Sequence, residues 1–458
     1  MKKLFFAIVI FFYSNTSFSQ CWKAVSAGYD QILAIANDGT LWSWGNNRYG
    51  ELGIGTIVNS STPVQVGTDN DWEAISAGQG PKTFNLAQKE NGSLWSWGRN
   101  IAGQLGDGTF VDKLTPVPVG TDTDWISFSA GYGHAIAVKS NGTCWSWGES
   151  NLYALGNTVS YGGPFDRNVP AQVGTDTNWV KVSAGDAFSL ALKSNGTIWG
   201  WGTDSGSPIG VTSPYSSIQY PTIRDTPNTG VASMSAGGTH SFDVKQTTSQ
   251  IIPWGSNTYG QRGGTYCAGC PSYYVKSIDC GDDTTAIIKT DGTLWFCGKK
   301  LGYPNGLISP TTSFTQMGTA SNWKMVSVGY SCGAALTNDN RIYTWGWNSY
   351  GQLGNGTSGL ATSSESLVFV TCPSQLSQAQ SNLDAFTIYP SPVENTLFIQ
   401  NGQNLMIQSI TVYDITGKTL LSSNYNFNSI DVSQLQKGIY ILNINADSFS
   451  QRLKFIKN

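Results

Sequence analysis

Short stretches of alternating apolar and polar residues, separated by glycine-rich turns, fill most of this chain. In the first unit they cover residues 22–27, 32–36, 41–44 and 63–66. Alternation with a period of two residues is typical of strands with one buried face. Asp38-Gly39 separates the second and third stretches, and an Asp-Gly pair between such stretches favours a tight hairpin. The unit is therefore predicted to be a four-stranded antiparallel sheet.

The same unit recurs along the chain, marked by Ser-Ala-Gly at the end of the first strand and Trp-Ser-Trp-Gly at the third. A third marker, Gly50-Glu51-Leu52-Gly53, returns at 103–106 and 351–354. The glycine that ends the first marker occurs every 44 to 54 residues, at Gly28, Gly78, Gly131, Gly185, Gly237, Gly281 and Gly329. Four strands in each unit of this length favour small sheets packed around an axis. We predict an all-β chain in which residues 20–372 form a seven-bladed β-propeller.

These markers, in register across seven units, resemble the regulator of chromosome condensation repeat family over residues 21–371. The resemblance implies a closed seven-bladed ring. It implies an interaction platform rather than a particular activity, because the family includes nucleotide-exchange factors, a plant ultraviolet photoreceptor and a secreted inhibitor of β-lactamases. The fifth and sixth units depart from the pattern, with Pro253-Trp254-Gly255 and with Cys297 at a tryptophan position.

The N-terminus has the pattern of a secretory signal. Lys2 and Lys3 precede an apolar run over residues 4–13, and small residues precede a cleavage site between Ser19 and Gln20. Ten apolar residues are too few for a membrane span, which needs about 20. The sequence therefore predicts a signal peptide over residues 1–19, an exported mature protein and no transmembrane segment.

The C-terminus carries a different pattern. Residues 373–384, rich in Ser and Gln, are predicted to be a linker, and alternating strands in residues 385–458 predict a small antiparallel β-sandwich. The sandwich resembles the C-terminal sorting domain of the Bacteroidetes type IX secretion system, in a motif that includes Tyr389, Pro390, Pro392, Asp414, Gly417, Gly438, Tyr440 and Lys454. The resemblance implies the type IX secretion machinery as a partner, and a mature protein that is secreted or attached to the outer cell surface. The alternative is an ordinary binding module.

Composition narrows the function further. Charged residues make up 12% of the chain and the net charge is -3, so the sequence lacks the basic patches typical of nucleic-acid binding and predicts no nucleic-acid partner. Sixteen of the 17 tryptophans fall at repeat positions and are assigned to blade packing; Trp347 is the exception. The recurring Gly-Thr-Asp segments are interpreted as turns rather than calcium sites.

The sequence contains no recognisable catalytic motif. The two histidines, His134 and His240, lie at equivalent positions of different units, which is an arrangement typical of a structural role. They form neither a metal triad nor a Ser-His-Asp arrangement. We therefore expect no catalytic residue, no metal and no cofactor.

Eight cysteines in an exported chain favour disulfides. Cys21 precedes the first predicted strand and Cys372 follows the last apolar run of the repeats, so ring closure would bring them together. Cys267 and Cys270 share one loop, and Cys280 and Cys297 share one unit. These three pairs are the predicted disulfides.

The predicted function is a non-catalytic binding module for an extracellular protein or glycan. Tyr and Arg are enriched at binding hot spots, and the longer inter-strand loops carry such residues. The candidates are Tyr161, Phe165, Arg167, Tyr215, Tyr220, Arg224, Tyr266 and Tyr273. The alternative is an extracellular hydrolase of a polymer, which would need a facing carboxylate pair in the propeller cleft. The carboxylates to map are Glu51, Asp107, Glu149, Asp166 and Asp204.

Overall fold

The computed structural model describes most of the chain, as residues 21–157, 166–211, 215–224, 230–264, 274–299, 301, 310–372, 386–401, 406–414, 418–424, 427–446 and 450–458. They belong to two compact units, Met1–Cys372 and Pro373–Asn458. The predicted signal peptide, its cleavage site at Ser19 and Gln20, and the predicted linker lie outside the described residues.

The first unit contains seven antiparallel sheets, each built from consecutive strands, and the seven-bladed propeller is confirmed. Within the described residues six blades have four strands and blade 5 has three. The strands of blades 1 to 4 are β1 Trp22–Ala27, β2 Gln31–Ala36, β3 Leu41–Gly45, β4 Ser60–Gln65, β5 Trp72–Ala77, β6 Phe84–Lys89, β7 Leu94–Gly98, β8 Lys113–Pro118, β9 Trp125–Ala130, β10 His134–Lys139, β11 Cys144–Gly148, β12 Arg167–Gln172, β13 Trp179–Ala184, β14 Phe188–Lys193, β15 Ile198–Thr203 and β16 Ser217–Ile223. Those of blades 5 to 7 are β17 Val231–Ala236, β18 His240–Lys245, β19 Ile251–Gly255, β20 Val275–Cys280, β21 Thr284–Lys289, β22 Leu294–Gly298, β23 Thr311–Gln316, β24 Trp323–Val328, β25 Cys332–Thr337, β26 Ile342–Gly346 and β27 Ser364–Phe369.

The Ser-Ala-Gly marker joins neighbouring blades. The Ser129 hydroxyl accepts a hydrogen bond of 3.0 Å from the backbone N–H of Ala184 in the next blade. Equivalent bonds link every pair of adjacent blades, with Asp279 in place of serine in blade 6. The glycine allows close approach, since a Cβ on Gly131 would lie 2.7 Å from the carbonyl oxygen of Gly185. The marker therefore encodes a closed ring of seven hydrogen bonds.

Replacing Ser129 with alanine is expected to lower the free energy of unfolding by about 1.5 kcal/mol, because it leaves the N–H of Ala184 without a partner between two blades. Urea denaturation followed by tryptophan fluorescence measures the change. Exposed Ser140 provides the control, and Ser140→Ala is expected to shift the midpoint little. Equal effects of the two substitutions would contradict a role for the serine ring in stability.

The repeat tryptophans also connect blades and neighbouring turns. Trp147 is fully buried, and its indole N–H donates to the carbonyl oxygen of Gln104 in the preceding blade at 2.9 Å. Trp44 does the same to Gln352, across the seam between blades 7 and 1. The tryptophan two positions earlier, Trp145, instead donates to the hydroxyl of its hairpin residue, Thr143. These contacts account for the regular spacing of tryptophan in the sequence.

The Gly-Thr-Asp segments lie beside buried lysine stems. Lys139 Nζ is 2.7 Å from Asp122 and 4.5 Å from the ring centroid of Trp145. Lys89 and Lys193 make the corresponding contacts in blades 2 and 4. In these three blades the first Asp of the segment is therefore paired with a lysine held between two tryptophans.

The second unit consists of two sheets that share one apolar core, and the predicted sandwich is confirmed. One sheet has the order β28-β29-β32 and the other the order β31-β30-β33-β34. The strands are β28 Phe386–Tyr389, β29 Thr396–Asn401, β30 Ile407–Asp414, β31 Thr419–Ser423, β32 Ser429–Asp431, β33 Gly438–Ala446 and β34 Ser450–Lys457. Phe386 and Leu397 of the first sheet meet Val412, Leu442 and Phe455 of the second.

Candidate binding face

One face of the propeller carries the turns that follow the first strands and the long loops that follow the third strands. Both leave the same edge of each sheet because neighbouring strands are antiparallel. We call this the loop face. In blade 1 it comprises the turn at Tyr29 and Asp30 and the loop over residues 46–59.

Buried asparagines hold these loops in blades 7, 1 and 2. Asn47 donates to the carbonyl oxygens of Thr56 and Val58 at 2.8 and 3.0 Å, and its side-chain oxygen accepts from the N–H of Leu52 at 2.9 Å. Asn100 and Asn348 make equivalent bonds in blades 2 and 7. Because both ends of each loop bind one fully buried side chain, the loops have fixed shapes.

The ends of these loops expose apolar side chains. The apolar loop tips are Ile57, Val58, Phe110, Val111 and Leu360, each between 51% and 68% exposed. Each loop also bonds to the fourth strand of the next blade: Gly356 N–H donates to Ser61, and Gly55 N–H to Leu114. The tips therefore lie on three consecutive blades. Clustered exposed apolar residues usually mark an interaction surface.

Beside the tips lies a pocket of about 750 Å³, which we call the aromatic pocket. Its aromatic wall consists of Tyr29, Tyr49, Tyr330, Trp347 and Tyr350. The Tyr29 and Tyr330 rings stack with centroids 4.3 Å apart, and Trp347 meets Tyr330 edge-on at 6.4 Å. Trp347 is the one tryptophan outside the repeat register, and that departure was the signal in the sequence that could have located the pocket.

Glu51 closes part of this pocket and is 1% exposed. Its Oε2 accepts from the Tyr49 N–H at 2.6 Å, while Oε1 is buried without a hydrogen-bond partner. Burial raises the pKa of the Glu51 carboxyl to about 7. Glutamine occupies the same position in blades 2, 5 and 7, where the Nε2 of Gln104, for example, donates to the carbonyl oxygen of Lys82.

Arginines line the pocket as well. The Arg99 guanidinium lies 4.2 Å from the centroid of the Tyr49 ring and Arg48 lies 5.4 Å from it. The Nε of Arg99 is buried and, like Glu51 Oε1, has no hydrogen-bond partner. Burial also raises the pKa of Asp30, another lining residue. The pocket therefore combines aromatic surfaces with groups of both charges.

The loop residues predicted from sequence lie elsewhere. Tyr215 and Tyr220 are 74% and 54% exposed, Arg167 begins β12, and none of the three lines the aromatic pocket. The prediction is wrong for Arg224, which is 2% exposed and forms an ion pair with buried Asp243. Its guanidinium also donates to the carbonyl oxygens of Ile209 and Pro208 and to the Ser241 hydroxyl, so the side chain is fully engaged inside the propeller. The remaining candidates, Tyr161, Phe165, Tyr266 and Tyr273, lie outside the described residues.

The cysteine predictions have three outcomes. The Cys21–Cys372 disulfide is present. The Cys280–Cys297 prediction is wrong, since both are separate buried thiols. Cys297 occupies a repeat tryptophan position, and its Sγ lies 3.3 Å from the carbonyl oxygen of Gln261, as a tryptophan N–H does in other blades. Cys267 and Cys270 lie outside the described residues.

Five carboxylates were candidates for the catalytic pair of a hydrolase, and four of them form ion pairs or hydrogen bonds with nearby residues. Asp107 lies 3.2 Å from Lys113 Nζ, and Glu149 forms an ion pair with Lys82. Asp166 and Asp204 each accept a backbone N–H at 2.9 Å, from Ser150 and Ile209 respectively.

A second carboxylate accompanies Glu149 in a separate cavity of about 430 Å³. This is Asp186, whose pKa burial raises to about 6. Asp186 belongs to the turn after the first strand of blade 4, a position that the sequence analysis did not single out.

The sorting-motif residues occupy the second unit. Tyr440 is buried, stacks on Phe455 at 5.6 Å and donates to the carbonyl oxygen of Gln436. Tyr389 stacks on Phe398, and the Asp414 carboxylate accepts the Lys418 N–H at 3.0 Å. Pro390 and Pro392 follow β28, Gly438 begins β33, and Lys454 is exposed on β34. Gly417 lies outside the described residues.

Comparison with protein families decides the assignment. The model of the regulator of chromosome condensation (RCC1) repeat matches residues 38–80, 91–138, 141–192 and 339–388. A second model of this repeat matches residues 22–51, 125–153, 179–206 and 324–352, and the secretion system C-terminal sorting domain matches residues 387–458. The chain is an RCC1-repeat protein with a C-terminal sorting domain.

Relatives of this RCC1-repeat protein include the ultraviolet-B receptor UVR8 of Arabidopsis thaliana, 28% identical over 53% of this chain and 54% of the receptor. The X-linked retinitis pigmentosa GTPase regulator homolog of Caenorhabditis elegans is 26% identical over 72% of this chain and 24% of its own length. The chain thus spans about half, or less, of these curated relatives.

Solved structures agree on the propeller fold. Human WBSCR16 has a TM-score of 0.63 and 20% identity, covering 73% of this chain and 94% of its own. Yeast RCC1 (Prp20), solved bound to Kap60, has a TM-score of 0.61 and 18% identity, covering 85% of this chain and 93% of its own.

The sorting domain directs this RCC1-repeat protein through type IX secretion to the cell surface or the extracellular space. Helices in the described part of the chain amount to two short 3-10 turns, Asn151–Tyr153 and Leu360–Thr362, and neither is a candidate membrane span.

Proposed function

We propose that this protein is a non-catalytic binding propeller, displayed or released outside the cell, that engages an extracellular protein or glycan through the loop face of blades 7, 1 and 2. The observation that carries the proposal is the combination of apolar loop tips with the aromatic pocket on the same three blades. Exposed apolar clusters and Tyr-, Trp- and Arg-rich pockets are features of binding surfaces.

The rigidity of the loops supports this proposal. A partner that binds preformed loops loses less free energy to ordering than one that must fix flexible chains. Buried Asn47, Asn100 and Asn348 hold all three loops before any ligand arrives. The arrangement suits recognition by a rigid surface.

Polar substitution of the tips, Ile57→Ser with Val58→Ser, is expected to weaken partner binding at least tenfold. The immobilised full chain is incubated with the extracellular fraction of the producing cells and with a glycan array, and bound material is compared between variants. Ile126→Ser with Val180→Ser is the control, since both residues are exposed on first strands away from the loop face. Equal binding by both variants and the unchanged protein would contradict the loop face as the binding site.

A hydrolase is the second candidate, because Glu149 and Asp186 line one cavity and the pKa of Asp186 is raised. Release of reducing ends from a bound polymer by the unchanged protein, and its loss in Asp186→Asn, would establish this activity in place of the binding proposal.

A further inference from the structure

We infer that the aromatic pocket is a binding site for a neutral saccharide, whose hydroxyl groups bond to Glu51 and Arg99 while its ring lies against the aromatic wall. This inference rests on the proposed function and assigns a ligand class to one part of the loop face. The pocket volume of about 750 Å³ lies within the usual range of small-ligand sites.

The charges of the pocket favour a neutral ligand. Arg48 and Arg99 bring two cations to the Tyr49 ring, while Asp30 and Glu51 bring two carboxyl groups into the same lining. A cationic ligand meets the two arginines at any pH, and above pH 7, where the Glu51 carboxyl is ionised, an anionic ligand meets a like charge as well. A like charge that close costs free energy in a partly desolvated site.

The unpaired polar atoms favour a hydroxyl-rich ligand. Glu51 Oε1 is a buried carboxyl oxygen without a partner, and Arg99 Nε is a buried donor without a partner. A buried polar group without a hydrogen bond is costly, so a shift of either side chain that brings this atom to the surface of the pocket is favoured when a ligand hydroxyl is there to bond with it. A hydroxyl both donates and accepts, and a saccharide presents several around one ring.

The aromatic wall supplies the apolar part of the site. Tyr29 and Tyr330 form a stacked pair, and Trp347 and Tyr350 stand on the adjacent loop of blade 7. The C–H groups on the face of a sugar ring are apolar and pack against the faces of aromatic rings, so the ring keeps its hydroxyls at the edge for Glu51, Arg99, Asn46 and Asn59. An aromatic surface with a few placed polar groups is the general composition of ligand pockets.

Isothermal titration calorimetry of the full chain at pH 8, where the Glu51 carboxyl is ionised, tests this inference with matched trisaccharides. The neutral probes are β-linked glucose, xylose, galactose and N-acetylglucosamine trimers, and the charged counterparts are galacturonate and glucosamine trimers. At least one neutral probe is expected to bind with a Kd of about 10 μM to 1 mM. The charged counterparts should bind at least tenfold more weakly.

Tyr350→Ala is expected to weaken the neutral probe at least tenfold. Tyr259→Ala is the matched control, because Tyr259 occupies the same loop position in blade 5, is equally exposed at 40%, and lies outside the pocket. Trp347→Ala should reproduce the effect of Tyr350→Ala. Circular dichroism and the urea midpoint check that each variant is folded.

Three results would overturn the inference: no neutral probe binds at 10 mM, a charged counterpart binds as tightly, or Tyr259→Ala weakens binding as much as Tyr350→Ala. If no saccharide binds and Tyr350→Ala abolishes capture of a protein partner, the pocket binds a side chain of that partner instead of a saccharide. In that case the saccharide inference fails and the proposed loop-face function stands. If the loop-tip variants also leave all binding unchanged, both fail.

Discussion

Replacing Cys21 and Cys372 together with serine is expected to lower the free energy of unfolding of the propeller by about 4 kcal/mol. The disulfide joins residues 351 positions apart, and a cross-link that closes a long loop restricts the unfolded chain strongly. Blades 7 and 1 are each complete and no strand crosses from one sheet to the other, so apart from the disulfide the seam is held by a shared apolar core and single hydrogen bonds. These hydrogen bonds include those from the N–H of Trp22 to the carbonyl oxygen of Asn340 and from the N–H of Ala27 to the Ser327 hydroxyl.

Urea denaturation at fixed pH, followed by tryptophan fluorescence, measures this effect. All 17 tryptophans lie within residues 22–347, so the signal reports on the propeller alone. Dithiothreitol should lower the midpoint of the unchanged protein to that of the double variant and leave the double variant unaffected. Cys267→Ser with Cys270→Ser is the matched control, because a disulfide there would close only a very short loop. A double variant as stable as the unchanged protein would show that the seam does not need the covalent link.

The fold could be predicted from sequence because its determinants are local and repeated. The Asp38-Gly39 turn requires a positive φ, which Gly39 adopts at 81°, and Ser129 needs only its neighbour in the next blade to form the inter-blade bond. Seven copies of such short-range signals remove most ambiguity about the architecture. The disulfide followed from the same logic, since a closed ring brings Cys21 next to Cys372.

The site could not be predicted in the same way, because it is built from departures from the repeat. Loop length and residue type predicted that Arg224 is a binding residue. In the structure it is buried in an ion pair with Asp243, a contact between blades that the local sequence does not indicate. Glu51 and Trp347 lie about 300 positions apart, and only ring closure brings them to one pocket. A comparison of each unit with the others would have marked both residues, Glu51 because glutamine stands at that position in three units and Trp347 because no other unit has tryptophan there.

Glu51→Gln is expected to stabilise the propeller at pH 8 by about 3 kcal/mol relative to its effect at pH 5. The pKa of Glu51 rises from an ordinary 4.5 to about 7 on folding because the carboxyl is buried. Between these values the folded chain keeps a proton that the unfolded chain releases, so raising the pH favours unfolding. The stability associated with the protonated carboxyl is present below pH 4.5 and is lost as the pH rises through 7; each pKa unit corresponds to about 1.4 kcal/mol.

Glutamine has no proton to lose, and it also restores the amide found at this position in blades 2, 5 and 7. The free energies of unfolding of both proteins are compared at pH 5 and pH 8. Asp186, Asp279 and Asp283, whose pKa values burial also raises to about 6, give slopes of the same sign that cancel in the comparison. Exposed Glu90→Gln is the control and should leave the pH dependence unchanged.

If Glu51→Gln and the unchanged protein lost stability equally between the two pH values, the Glu51 carboxyl would not be titrating in a buried site. If the slope changes as expected, the propeller tolerates at Glu51 a cost in stability that its other blades avoid, as is typical of a residue kept for a ligand rather than for the fold.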